Sequence, residues 1–162
     1  MPNLNRLNAT LTQNLSMNKA RITCLSLMIL ALITAQSSNL KKIARHISNV
    51  GKTDSHYHRL QRFIAEARID YDQLALMRYR LFGLGKVTLT IDRTNWKWGK
   101  SNLNIFMLGV VYKGIAIPLY WQMLDKRGNT NHLELIERFI KQFGKDNLEM
   151  ILGRVLNSSC NE

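Results

Sequence analysis

Apolar positions in the first half of the chain recur with the period of a helix, and those that follow Gly83 and Gly85 alternate with the period of a strand. Leu4, Leu7, Leu11 and Leu15, spaced near every fourth residue, predict a first helix within residues 1–18. Residues 19–35 are apolar nearly all round and predict a helix central to a helical cluster. Leu40, Ile43, Ala44 and Ile47 fall at i, i+3, i+4 and i+7, which makes one apolar face of a short helix. Residues 48–52, with Gly51, break it, and Thr53 is placed to cap a further helix with Tyr57, Leu60, Ile64 and Ala67 facing inward. Helix, glycine-containing turn and helix over residues 38–68 make a helix-turn-helix-like segment. Residues 70–81 form one more amphipathic helix through Leu74, Met77 and Leu81, ended by the two glycines.

From there Val87, Leu89 and Ile91 alternate with Thr88, Thr90 and Asp92, the mark of a strand with a polar second face. Residues 103–112 and 115–124 are β-rich runs joined tightly through Tyr112, Lys113 and Gly114, and Pro118 calls for an edge or bulge position. A polar turn at 125–130 with Gly128 precedes a helix striped by Leu133, Ile136, Ile140 and Phe143 and ended by Gly144. Residues 148–152 begin a fourth strand. The fold class is therefore α+β, a helical region at 1–82 followed by a mixed sheet region at 83–162 whose faces need helices.

Charge adds a partner to this picture. The 162 residues carry 23 Lys and Arg against 11 Asp and Glu, a net +12. Up to and including Asp70 there are 10 basic and 3 acidic residues (+7), and beyond it 13 and 8 (+5), so the excess is densest in the helical region. Such a surface attracts polyanions, and phosphate-backbone binding by the first half is the simplest consequence. Ser55, His58, Arg59 and Arg62 line the outward stripe of the second helix of the 38–68 segment, suited to a major groove or a run of phosphates. Lys41, Lys42 and Arg45 add cations on the helix before it.

Other classes recede. Two cysteines, Cys24 and Cys160, make no disulfide framework and fit a reducing cytoplasm. His56 and His58 lack the partners of a zinc site. The apolar run at 22–35, preceded by Lys19 and Arg21, imitates a signal peptide but is too short to span a bilayer, and a buried helix is expected instead of a membrane segment.

Asp92 closes the alternating strand and is followed by Arg93, Thr94, Asn95, Trp96, Lys97, Trp98, Gly99 and Lys100. A carboxylate among cations and amides suits a divalent-metal ligand acting on phosphodiesters, although such an Asp also forms turns. Trp96 and Trp98 offer stacking surfaces for unpaired bases or sheet packing, and Lys97 and Lys100 offer phosphate contacts.

The segment "LTIDRTNWKWGKSNLNIFMLGVVYKGIAIPLYWQMLDKRGNT" resembles insertion-sequence transposases of the IS-four group, and the upstream "NLKKIARHISNVGKTDSHYHRLQRFIAEARID" is similar to the family's N-terminal DNA-binding segment. The resemblance extends to about Leu152 and is most specific at 89–128. It implies an RNase H-like fold for the sheet region and makes Asp92 the first of three catalytic acids that hold Mg2+ or Mn2+. It also implies transposon terminal inverted repeats as the double-stranded DNA partner, and a full-length transposase as a protein partner. The family's second Asp is expected after the fourth strand, in a stretch like "LLADREF". Here that stretch reads "MILGRVLNSSCNE", with Gly153 and Arg154 where Ala and Asp are expected, and the third acid, a Glu, lies outside the chain. The resemblance thus implies a truncated, catalytically inactive transposase with an incomplete RNase H-like domain. The alternative is a non-catalytic DNA-binding repressor or inhibitor of the full-length protein, acting through residues 38–68.

Overall fold

The computed structural model describes residues 2–47, 51–99, 101–124 and 133–153, which form six α-helices, one 3-10 turn and a four-stranded mixed sheet. Residues 48–50 of the expected turn at 48–52, and all of the expected turn at 125–130, lie outside the described residues. The chain divides into two compact units, residues 1–74 and 75–162, and the division falls inside the fifth helix.

The first unit is helical: α1 (Pro2–Asn14), α2 (Lys19–Ala35), α3 (Leu40–Arg45) and α4 (Thr53–Glu66). α2 is the hub, touching α1, α3 and α4, as its all-round apolar surface predicts. Ile22, Cys24, Leu25, Leu27 and Ala31 are buried along it, and its last turn, with Leu32 and Ile33, is exposed. Asn18 caps α2 by accepting the Arg21 N–H at 2.8 Å, and Asn39 caps α3 by accepting from Lys41 and Lys42. No helix among the described residues is long and apolar enough to cross a membrane.

α4 differs from its predicted face. Its buried side chains are His56, Leu60 and Phe63, whereas Ile64 is 56% exposed and Ala67 lies beyond the helix end. The inward stripe thus keeps Leu60 but takes His56 and Phe63 in place of Tyr57 and Ile64, a turn of roughly 50°, because Phe63 brings a larger apolar surface to the interior than Ile64. Thr53 is not the cap but the first helical residue; Lys52 holds the cap position and makes no side-chain cap bond. Gly51, at φ +149, lies directly over the imidazole of His56: a Cβ there would approach Cε1 to 3.0 Å. The turn before α4 therefore needs a residue with neither a side chain nor a Cβ-imposed backbone preference.

α5 (Tyr71–Leu81) starts at Asp70, whose carboxylate accepts the N–H groups of Asp72 and Gln73. Asp70→Ala is expected to cost about 1 kcal/mol, the usual worth of such a cap, visible as a lowered urea midpoint. Its last turn closes with Leu84 N–H donating to Tyr79 and Gly83 N–H to Arg80, Gly83 being at φ +58.

The second unit is built on the sheet. β1 (Val87–Trp98) and β2 (Ser101–Tyr112) pair antiparallel, β2 pairs antiparallel with β3 (Ile115–Leu124), and after α6 (Leu133–Phe143) β4 (Leu148–Gly153) returns parallel beside β1. The spatial order is β3-β2-β1-β4. One face carries the core, with Leu89, Phe106, Leu108, Val110, Leu119 and Tyr120 buried against Ala75 of α5 and Leu135 and Phe139 of α6. The deepest α6 residues are therefore Leu135 and Phe139; of the expected stripe, Ile136, Ile140 and Phe143 are half-buried and Leu133 is exposed.

Pro118 sits where the sequence predicts, on edge strand β3 and at a bulge. Gly109 pairs with Pro118 while Leu108 pairs with Tyr120, leaving Leu119 as the extra residue. Arg78 of α5 donates to the carbonyl of Pro118 at 3.0 Å and lies over the Trp121 ring, so the irregular backbone is met by a guanidinium. Gly109 is required opposite it, since a Cβ would come within 3.0 Å of the Ile117 carbonyl oxygen and 3.3 Å of Thr90.

Candidate functional site

In the sheet unit the candidate is Asp92. It is not at a strand end, as the sequence reading has it, because β1 runs six residues further and stays paired with β2, Asp92 itself opposite Met107. The polar run after Asp92 reads as loop, but the partner residues 101–106 extend the ladder through it. Val87 and Leu89 point into the core, so Thr88, Thr90, Asp92 and Thr94 share the other face, each half-buried. Asp92 follows directly on Ile91, which pairs with Gly153, the last described residue of β4.

A two-metal centre needs several carboxylates around ions about 3.5–4 Å apart. Among the described residues, no three His, Cys, Asp or Glu side chains form a metal-binding group. Asp146, in the 3-10 turn, and Glu149 lie near the start of β4, where Leu148 pairs with Val87. That is five residues from Asp92 along β1, roughly 16 Å at the usual strand rise. With no such group around it among the described residues, Asp92 does not fit the two metal ions that the resemblance implies, and no catalytic step is assigned through it. Lys97 is exposed on β1, while Lys100 and the side chains of Trp96 and Trp98 lie outside the described set.

In the helical unit the candidate cationic residues named from the sequence occupy two neighbouring helices. Lys41, Lys42 and Arg45 are exposed on α3, with Lys41 Nζ 5.8 Å from the Tyr57 ring centre. On α4, Ser55, His58 and Arg62 are exposed as expected, and His58 Nδ1 lies 3.2 Å from Gln61 Oε1. Arg59 departs from the stripe: it is half-buried and donates to the Ala20 carbonyl of α2 at 3.4 Å.

Between α2 and α4 lies a cleft of about 280 Å³ whose wall includes Ala20, Arg21 and Cys24 from one helix and Arg59, Arg62 and Glu66 from the other. Sequence alone does not mark Arg21, because nothing in its local spacing relates it to residues some forty positions away. Burial pushes the Cys24 thiol up, and Arg59 pulls it back only in part, so the thiol keeps its proton at neutral pH. His56 is the other side chain whose place the local pattern does not reveal; it is 7% exposed, and its Nε2 has no hydrogen-bond partner among the described residues.

Compared with known protein families, curated proteins and solved structures, the chain matches none.

Proposed function

We propose that the chain is a DNA-binding protein of the insertion-sequence transposase type, with the helical unit holding duplex DNA and the mixed sheet an RNase H-like scaffold. The observation that carries it is the place of Asp92: on the first strand of the sheet, one residue past Ile91, which pairs with Gly153 of a parallel fourth strand. Three antiparallel strands, a helix and a strand returning next to the first are what the resemblance calls for. For the helical unit the support is electrostatic, since α3 and α4 present Lys41, Lys42, Arg45 and Arg62 to solvent in the more basic part of the chain.

Catalysis is not part of the proposal for this chain, because among the described residues Asp92 belongs to no group of three metal-binding side chains. The expected result is salt-sensitive binding to duplex DNA carrying transposon ends, with no strand cleavage in Mg2+ or Mn2+. Gel-shift and nicking assays on the same duplex check both parts. Cleavage that disappears in Asp92→Asn would show an assembled site and reverse the inactivity claim. The second reading, a repressor or inhibitor that competes with a full-length transposase, is favoured by the helical residues forming a compact unit of their own. It predicts competition for the same ends.

A further inference from the structure

We infer that the cleft between the start of α2 and the end of α4 is a seat for one phosphate group of bound DNA, gripped by Arg21, Arg59 and Arg62. This rests on the DNA-binding reading above and adds to it a defined seat and the residue Arg21.

Three arginines and one acidic residue, Glu66, line the cleft. Each guanidinium presents a planar fork of donors that matches two oxygens of a phosphate. Clustered like charges are a cost to the empty fold, and an anion between them removes it. At about 280 Å³ the cleft has room for a phosphate group. Among the described residues the wall adds nothing that repels an anion apart from Glu66, since the Cys24 thiol is neutral. The seventeen-residue α2 also directs its positive end at the same side, where Ala20 and Arg21 stand in its first turn. Arg59 is held toward this wall by the Ala20 carbonyl, which explains why it leaves the stripe formed by Ser55, His58 and Arg62.

The experiment is fluorescence anisotropy of the full chain with a labelled duplex of about twenty base pairs, titrated with NaCl. Arg21→Gln is expected to weaken binding roughly tenfold at 0.1 M salt and to lower the slope of log K against log salt by about 0.9, one phosphate's worth. Glu66→Gln, which removes the carboxylate of the cleft from an exposed position, is expected to tighten binding several-fold, a gain that misfolding does not produce. Binding by both variants with the unmodified protein's affinity and slope overturns the seat and leaves the DNA-binding reading standing. Weakening by Arg21→Gln with no gain in Glu66→Gln marks Arg21 as an ordinary surface contact and also overturns it. Failure of the unmodified protein to bind any duplex at low salt removes both.

Discussion

Alanine at Lys41, Lys42 and Arg45 together is expected to weaken duplex binding by roughly two to three orders of magnitude near 0.1 M salt. It should also take about 2.7 from the salt slope, 0.9 for each phosphate that is no longer neutralised. The three side chains are exposed on one short helix whose cap, Asn39, and whose buried residues, Ile43 and Ala44, are untouched by the change. Weaker binding is therefore not expected to come from melting of α3, and an unchanged far-UV circular dichroism spectrum checks this. Since neutralising a phosphate reads no base sequence, the effect should be similar for transposon ends and for unrelated duplexes. A change of less than twofold would move the DNA interface away from α3.

Phe139→Ala is expected to cost the sheet unit about 3–5 kcal/mol, the range for removing a large aromatic side chain from a packed interior. Phe139 has no exposed surface, and its ring lies 4.9 Å from that of Phe143, which stacks in turn on Tyr79. Phe139 shares one buried cluster with Ala75 of α5 and the core face of the sheet. All three tryptophans, Trp96, Trp98 and Trp121, lie in residues 75–162, so tryptophan fluorescence during urea unfolding reports on that unit. The midpoint should fall sharply, and a shift worth less than about 1 kcal/mol, well under the usual range for such a truncation, would mean that the core is not organised around this residue.

Much of this fold is legible in the chain because strong local signals agree with the tertiary result. α2 runs from Lys19 to Ala35, where its apolar run is read, and β3 from Ile115 to Leu124, where turn residues bound it. What escapes a local reading is decided by partners distant in sequence. The stretch after Asp92 is polar enough to pass for a loop, yet β2 draws it into the ladder as far as Trp98. On α4 and α6 apolar residues occupy more than one face, and only packing selects Phe63 over Ile64 and Phe139 over Ile140. Asp92 is found by its wording, whereas the arginine-lined cleft exists only once α2 and α4 meet.

Leu119 has a consequence for how β3 tolerates change. Before it, the core-facing position is odd-numbered, Ile117; after it, Tyr120 is the one turned inward, and Leu119 and Tyr120 are both 1% exposed. The strand thus switches parity once, and two neighbouring side chains serve the same interior. Deleting a single residue from a regular strand would turn everything beyond it inside out. Deleting Leu119 would instead straighten the ladder, keep Tyr120 and its hydrogen-bonding partner Gln142 on their side, and leave a void the size of one leucine as the main penalty.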